Sequence, residues 1–158
     1  MYTGFLGLHS LLRWLLIIFL IINIIRVNVE ADEDFDLVDR KWSLRLLITA
    51  HINLLIGLYQ FFFGDRILQM VFREHYTMSD IMKRVDLRFW IIEHPTMMLL
   101  AIALITMAHI KSKKIGNALK KHRMMSILYI LALLVIIAGV PWPFRGVDIA
   151  RPWFRPLY

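Results

Sequence analysis

Apolar residues along this chain come in four long runs, at 4–25, 42–63, 89–110 and 124–140, separated by charged stretches. Each run is close to the ~20 residues an α-helix needs to cross a hydrocarbon core. Backbone groups in lipid must pair within their own segment, so the runs are predicted as helices rather than strands. The expected fold is an all-α integral membrane four-helix bundle, one transmembrane domain over 1–158. In the longest loop, 65–88, "RILQMVF" suggests a short interfacial helix between spans two and three. Ser79 is a candidate cap for a turn running into span three. The leader "MYTGF" has no positive region and no A-x-A-like site follows the first run, so that run is expected to persist in the mature chain.

Composition agrees: apolar residues make up 59% of the 158 and the mean hydropathy is +0.61. With no cysteine, the chain has no disulfide, no thiolate metal or iron–sulfur site and no covalently attached c-type haem. The net charge of +7 is carried largely by short loops between apolar runs, which points to lipid rather than nucleic acid. Four spans put both termini on one side, side A. The loops 26–41 and 111–123, with Arg45, give side B ten Lys/Arg against eight on side A. The dense "KSKKIGNALKKHR" makes side B the expected cytoplasmic face and leaves the termini periplasmic. The tail "PWPFRGVDIARPWFRPLY" suits the headgroup layer or a docking strap for a neighbouring subunit.

Ionisable side chains within spans are costly and are candidate functional residues by default. Here they are His9, Arg13, His51, Glu93, His94 and His109. His9 and His94 each lie five residues into a span that starts on side A, roughly 7–8 Å deep, so they can share a level. Arg13 follows His9 by four residues on the same helical face, and Glu93 adjoins His94, so an Arg13–Glu93 ion pair is expected there. His51 and His109 approach each other less closely in depth from side B, where His122 is a further candidate. His94 and His109 are offset by only about 60° around one helix, at opposite ends. A planar iron porphyrin takes one axial His from each of two helices, and bundle interiors are where such groups sit. Its propionates need cations, for which Arg13 and Arg88 are available, and Gly57, Ala101 and Ala103 leave room for the ring. A zinc or non-haem iron site requires three such ligands to converge. Pro95 lacks an N–H and crowds the carbonyl of Ile91, so span three either kinks there or begins its regular helix there.

The segments "HSLLRW" (9–14), "AHINLLIGLYQFF" (50–62), "LRFWIIEHPTMMLLAIALITMAHIKSKK" (87–114), "IAGVPWP" (137–143) and "RPWF" (151–154) resemble a family of small four-helix bacterial inner-membrane proteins commonly labelled cytochrome-b-like. The resemblance covers nearly the whole chain; the loop 65–88 and Pro95 depart from the pattern. It implies haem b and electron transfer in a respiratory assembly, with other membrane subunits and a quinol as partners. No catalytic residue is implied. The residue reading leaves two other roles open: an accessory or assembly subunit whose polar residues join helices, and a small transporter or proton-path subunit.

Overall fold

The computed structural model describes residues 2–29, 34–64 and 68–154. Four of its helices are long and apolar enough to cross a membrane. These are α1 (Tyr2–Val29), α2 (Leu37–Phe63), α6 (His94–Ser112, continuous with the turns before it) and α7 (Ala118–Gly139). Three short helices, α3 (Leu68–Arg73), α4 (Met78–Lys83) and α5 (Val85–Arg88), join α2 to the third span. Among the described residues there is no strand. The chain is a multi-pass, all-α membrane bundle.

Helix ends follow local chemistry. Asp36 caps α2 through a reciprocal box: its carboxylate accepts from Asp39 N–H, and the Asp39 carboxylate accepts from Asp36 N–H. Asn117 caps α7 by accepting from Lys120 N–H at 2.8 Å. A short helix is present where one was expected, as α3; residues 66–67 of its predicted span lie outside the described ones. Thr77, not Ser79, is the cap in this loop, because Thr77 is paired three residues on with Asp80, which closes a second box. The small unit packs on its own cluster of Val71, Ile81 and Leu87.

Of the two expected devices, the structure uses the second, the start of the regular helix at Pro95. It occupies the first turn of α6, where no N–H is needed. The turn before it, Phe89–Glu93, widens to a π-helix in which His94 N–H reaches back to Phe89 C=O. A π-bulge absorbs the proline's clash without ending the span.

Packing runs in a ring, α1 to α2 to α6 to α7 and back to α1, so α1 and α6 face each other diagonally. The centre is filled by Leu20, Leu46, Ala50, Ala101, Ile105 and Ala132. On α7 the inward positions His122, Met125, Tyr129, Ala132, Ile136 and Gly139 alternate by three and four, the period of a helix seam. Outward positions such as Leu11, Ile18, Leu55, Leu100 and Leu134 are exposed. A water-soluble protein would hide such a surface, whereas a bilayer solvates it.

Candidate functional site

Where α7 stops at Gly139, the chain turns into a strap, residues 140–154, that takes over packing against α1. Trp142, Trp153 and Phe154 all lie on the Trp14 ring, at centroid distances of 6.0, 5.9 and 5.7 Å. Trp153 C=O accepts from both Arg13 Nη2 (2.9 Å) and Trp14 Nε1 (2.8 Å). Beneath this strap the bundle holds a cavity of about 350 Å³. His9 on α1 and His94 on α6 both line it, so the diagonal pair of helices brings the two depth-matched imidazoles into one space. Most of the remaining wall is apolar, including Leu54, Leu58, Met98, Leu99 and Ile102.

The other two helices position those imidazoles through glycine. A helix ends with carbonyls that lack an internal partner. One of them, Gly139 C=O, accepts from His94 Nδ1 at 2.8 Å. Since a carbonyl only accepts, Nδ1 carries the proton and the Nε2 lone pair remains available, as in metal-binding histidines. Gly57 on α2 faces the His9 ring: a Cβ there would come within 3.1 Å of His9 Cε1. His9 Nδ1 is buried without a hydrogen-bond partner, and so is Asn53 Oδ1 in the same wall. Buried polar atoms left unmatched beside a cavity are characteristic of a site that takes a ligand or water.

The expected Arg13–Glu93 pair does not form. Glu93 instead accepts from Arg88 Nε at 2.7 Å, because the π-turn brings Arg88, five residues earlier, onto the same face. Arg13 points the other way, to Ser10 Oγ and the strap. Arg88 is therefore tied up as well, and also donates to Met82 C=O. Of the three small residues expected to make room, Gly57 and Ala101 line the cavity, whereas Ala103 is exposed.

The side-B histidines are not brought together around a space. His51 is exposed on the outside of α2, and its Nδ1 donates to Leu47 C=O one turn back, at 2.9 Å. His109 turns inward and its Nδ1 meets Ser43 Oγ at 2.8 Å; the same hydroxyl meets Tyr129 OH at 3.1 Å. His122 is fully enclosed, edge-on to Phe35 at 5.6 Å, with neither ring nitrogen bonded. Neither His51 nor His109 lines the cavity that His9 and His94 share. Among the described residues no three His, Asp or Glu side chains converge as a metal site would need.

Sequence reasoning missed Ser43, Tyr129, Gly139, Met98, Trp90 and Arg151. For Tyr129 a signal existed in its seven-residue spacing from His122 and Ile136. Gly139 contributes a carbonyl and a lack of bulk, which no side-chain motif reports. Compared with protein-family models, curated proteins and solved structures, the chain matches none.

Proposed function

We propose that this chain is a membrane electron-transfer subunit that holds a b-type haem between α1 and α6. The observation that carries the reading is the pairing of His9 and His94 across one apolar cavity, with the His94 tautomer set by Gly139 C=O. The donor set fits the group: two imidazoles from facing helices, one with Nε2 left available, and apolar walls for a macrocycle. His9 and His94 would hold the haem, which would supply a one-electron couple. The protein's own contribution is to orient the imidazoles and exclude water, with Pro141, Arg151 and Pro152 of the strap in the cavity wall. In this reading the chain belongs to a respiratory assembly of a bacterial inner membrane, with its termini in the periplasm, and exchanges electrons with a quinol and a partner subunit.

Absorption spectra of protein purified from haem-replete cells test this. Reduced protein is expected to show sharp bis-imidazole bands, lost in His9→Ala and in His94→Ala and retained in His51→Ala. Colourless, folded wild-type protein would refute the haem. Cysteine labelling checks orientation: a periplasmic reagent should tag position 148 and spare position 117.

A second reading, a non-catalytic accessory subunit, draws on the strap. Phe144, Phe154 and Trp153 are exposed on it, and Val147 more so. An aromatic surface of this kind suits docking to another membrane subunit. Colourless protein that co-purifies with a larger complex only while the strap is intact would favour it.

A further inference from the structure

We propose that the outward face of α2 at side B binds an anionic phospholipid, with Lys41 and Arg45 on its phosphate and the apolar residues beneath them along an acyl chain. The site is at the opposite end of the bundle from the cavity and is independent of what the cavity holds.

Lys41, Arg45, Ile48, Ile52 and Leu55 are all exposed. At 100° per residue they share an arc of roughly 80° on one face of α2. The two cations stand at the side-B end of this stripe, and the rest of it is apolar. From Arg45 to Leu55 the helix rises about 15 Å, half of the ~30 Å hydrocarbon core. The stripe thus has the length of one leaflet and the polarity of one phospholipid, with charge at the surface and hydrocarbon below. Long cationic side chains lay their stems on apolar surface and extend their heads to the phosphate level. Among the described residues neither Lys41 nor Arg45 is in an ion pair. Asp39, the carboxylate nearest to them along α2, turns inward to Arg26 at 2.9 Å.

Arg45 is already placed for an anion. Its guanidinium lies over the Trp42 ring, 4.7 Å from the centroid. Contacts with α1 fix that ring: it meets Phe19 edge-on at 5.7 Å, and Trp42 C=O accepts from Asn23 Nδ2 at 3.3 Å. A stacked guanidinium keeps its N–H edges in plane, where they can give two parallel bonds to a phosphate. Less side-chain freedom is then lost on binding. The start of α7 provides the contrast. Lys120 and Arg123 also stand exposed above apolar positions, Ile127, Ile130 and Leu134. Among the described residues, however, no aromatic ring underlies either cation. That pair has the charge without the platform.

The five tryptophans give a local reporter, because Trp42 is at side B and Trp14, Trp90, Trp142 and Trp153 are at side A. The full-length protein and its Trp42→Phe variant are reconstituted in vesicles, and the difference in emission isolates Trp42. Contact quenching by dibrominated phosphatidylglycerol is compared with that by dibrominated phosphatidylcholine. The anionic lipid is expected to bind beside Trp42 at least about fivefold more tightly, as two cations at a membrane surface predict. Lys41→Gln combined with Arg45→Gln should bring the ratio close to one. Lys120→Gln combined with Arg123→Gln removes the same charge from another helix and should leave the ratio unchanged. Inorganic phosphate, added at matched ionic strength, should also leave it unchanged.

A ratio near one in the wild type would overturn the proposal, as would a ratio that survives the paired change at Lys41 and Arg45. Equal loss on the paired change at Lys120 and Arg123 would also overturn it, since the preference would then follow net charge and not the stacked site. Abolition by inorganic phosphate would assign the cations to a free anion instead of a lipid. Absence of Trp42 quenching by either lipid would mean that another protein chain, such as a second copy, covers this face, and would equally overturn the proposal.

Discussion

The two ends of this bundle carry histidines in similar number but opposite settings. At side A, His9 and His94 border a cavity, and polar atoms beside them are left unmatched. At side B, His109 is closed into a hydrogen-bonded chain through Ser43 to Tyr129, and His122 is fully buried. What separates a candidate site from a packed core is therefore space, not residue type. The space has a local cause. At side A, α7 stops at Gly139 and the strap takes over its packing, whereas at side B Tyr129 and Met125 fill the seam.

The strongest way to break this comparison is to hollow out the dense end. Tyr129→Ala removes a fully buried ring and is expected to cost about 3–5 kcal/mol, as aromatic-to-alanine changes in packed cores do. Met98→Ala, in the wall of the existing cavity, should cost less than half as much, since fewer contacts are lost. Denaturation in matched detergent would measure both; equal losses would mean that side A is as tightly packed as side B.

Next in size is His122. Its two unbonded nitrogens forfeit solvation with no return, and replacing such a group with an apolar one of similar volume can be neutral or favourable. His122→Leu is expected to leave stability unchanged or raise it by about 1 kcal/mol. A loss above about 2 kcal/mol would show that His122 has a partner that matters.

Smaller still is the ion pair that replaced the expected one. Arg88 and Glu93 are about one-third exposed, 36% and 35%, so their coupling should be only about 0.2–1 kcal/mol. A double-mutant cycle of Arg88→Ala with Glu93→Ala should show that coupling. The corresponding cycle of Arg13→Ala with Glu93→Ala should be additive. Coupling in the second cycle alone would restore the Arg13–Glu93 pair.

The smallest effect is at the N-cap of α2. The Asp39 amide, donating to the Asp36 carboxylate, holds this acid below its ordinary value of 3.8. A carboxyl whose folded value is depressed contributes its stability above that ordinary value. The contribution is lost as pH falls through the lower, folded one. Hydrogen exchange at the Asp39 amide should therefore lose protection in strongly acidic solution, beyond the intrinsic pH trend, and Asp36→Ala should lose it at all pH values. Protection unchanged in Asp36→Ala would remove Asp36 as the cap.

Periodicity and run length alone determined the all-α class, four spans and the short helix after span two. In lipid every backbone polar group must be paired within its own segment, and few structures meet that demand. Depth along a helix is also a property of sequence position, so counting residues from side A was enough to match His9 with His94. Rotation about the helix axis and the path of the strap are not properties of position. They depend on which helix lies across the bundle, on the extra residue in the π-turn before Pro95, and on where α7 stops. That is why His51 faces outward, Glu93 takes Arg88 instead of Arg13, and Arg151, distant in sequence, reaches the wall that Arg13 shares. Tertiary packing decided these partners because side-chain direction follows helix phase, and one inserted residue shifts that phase by about 100°.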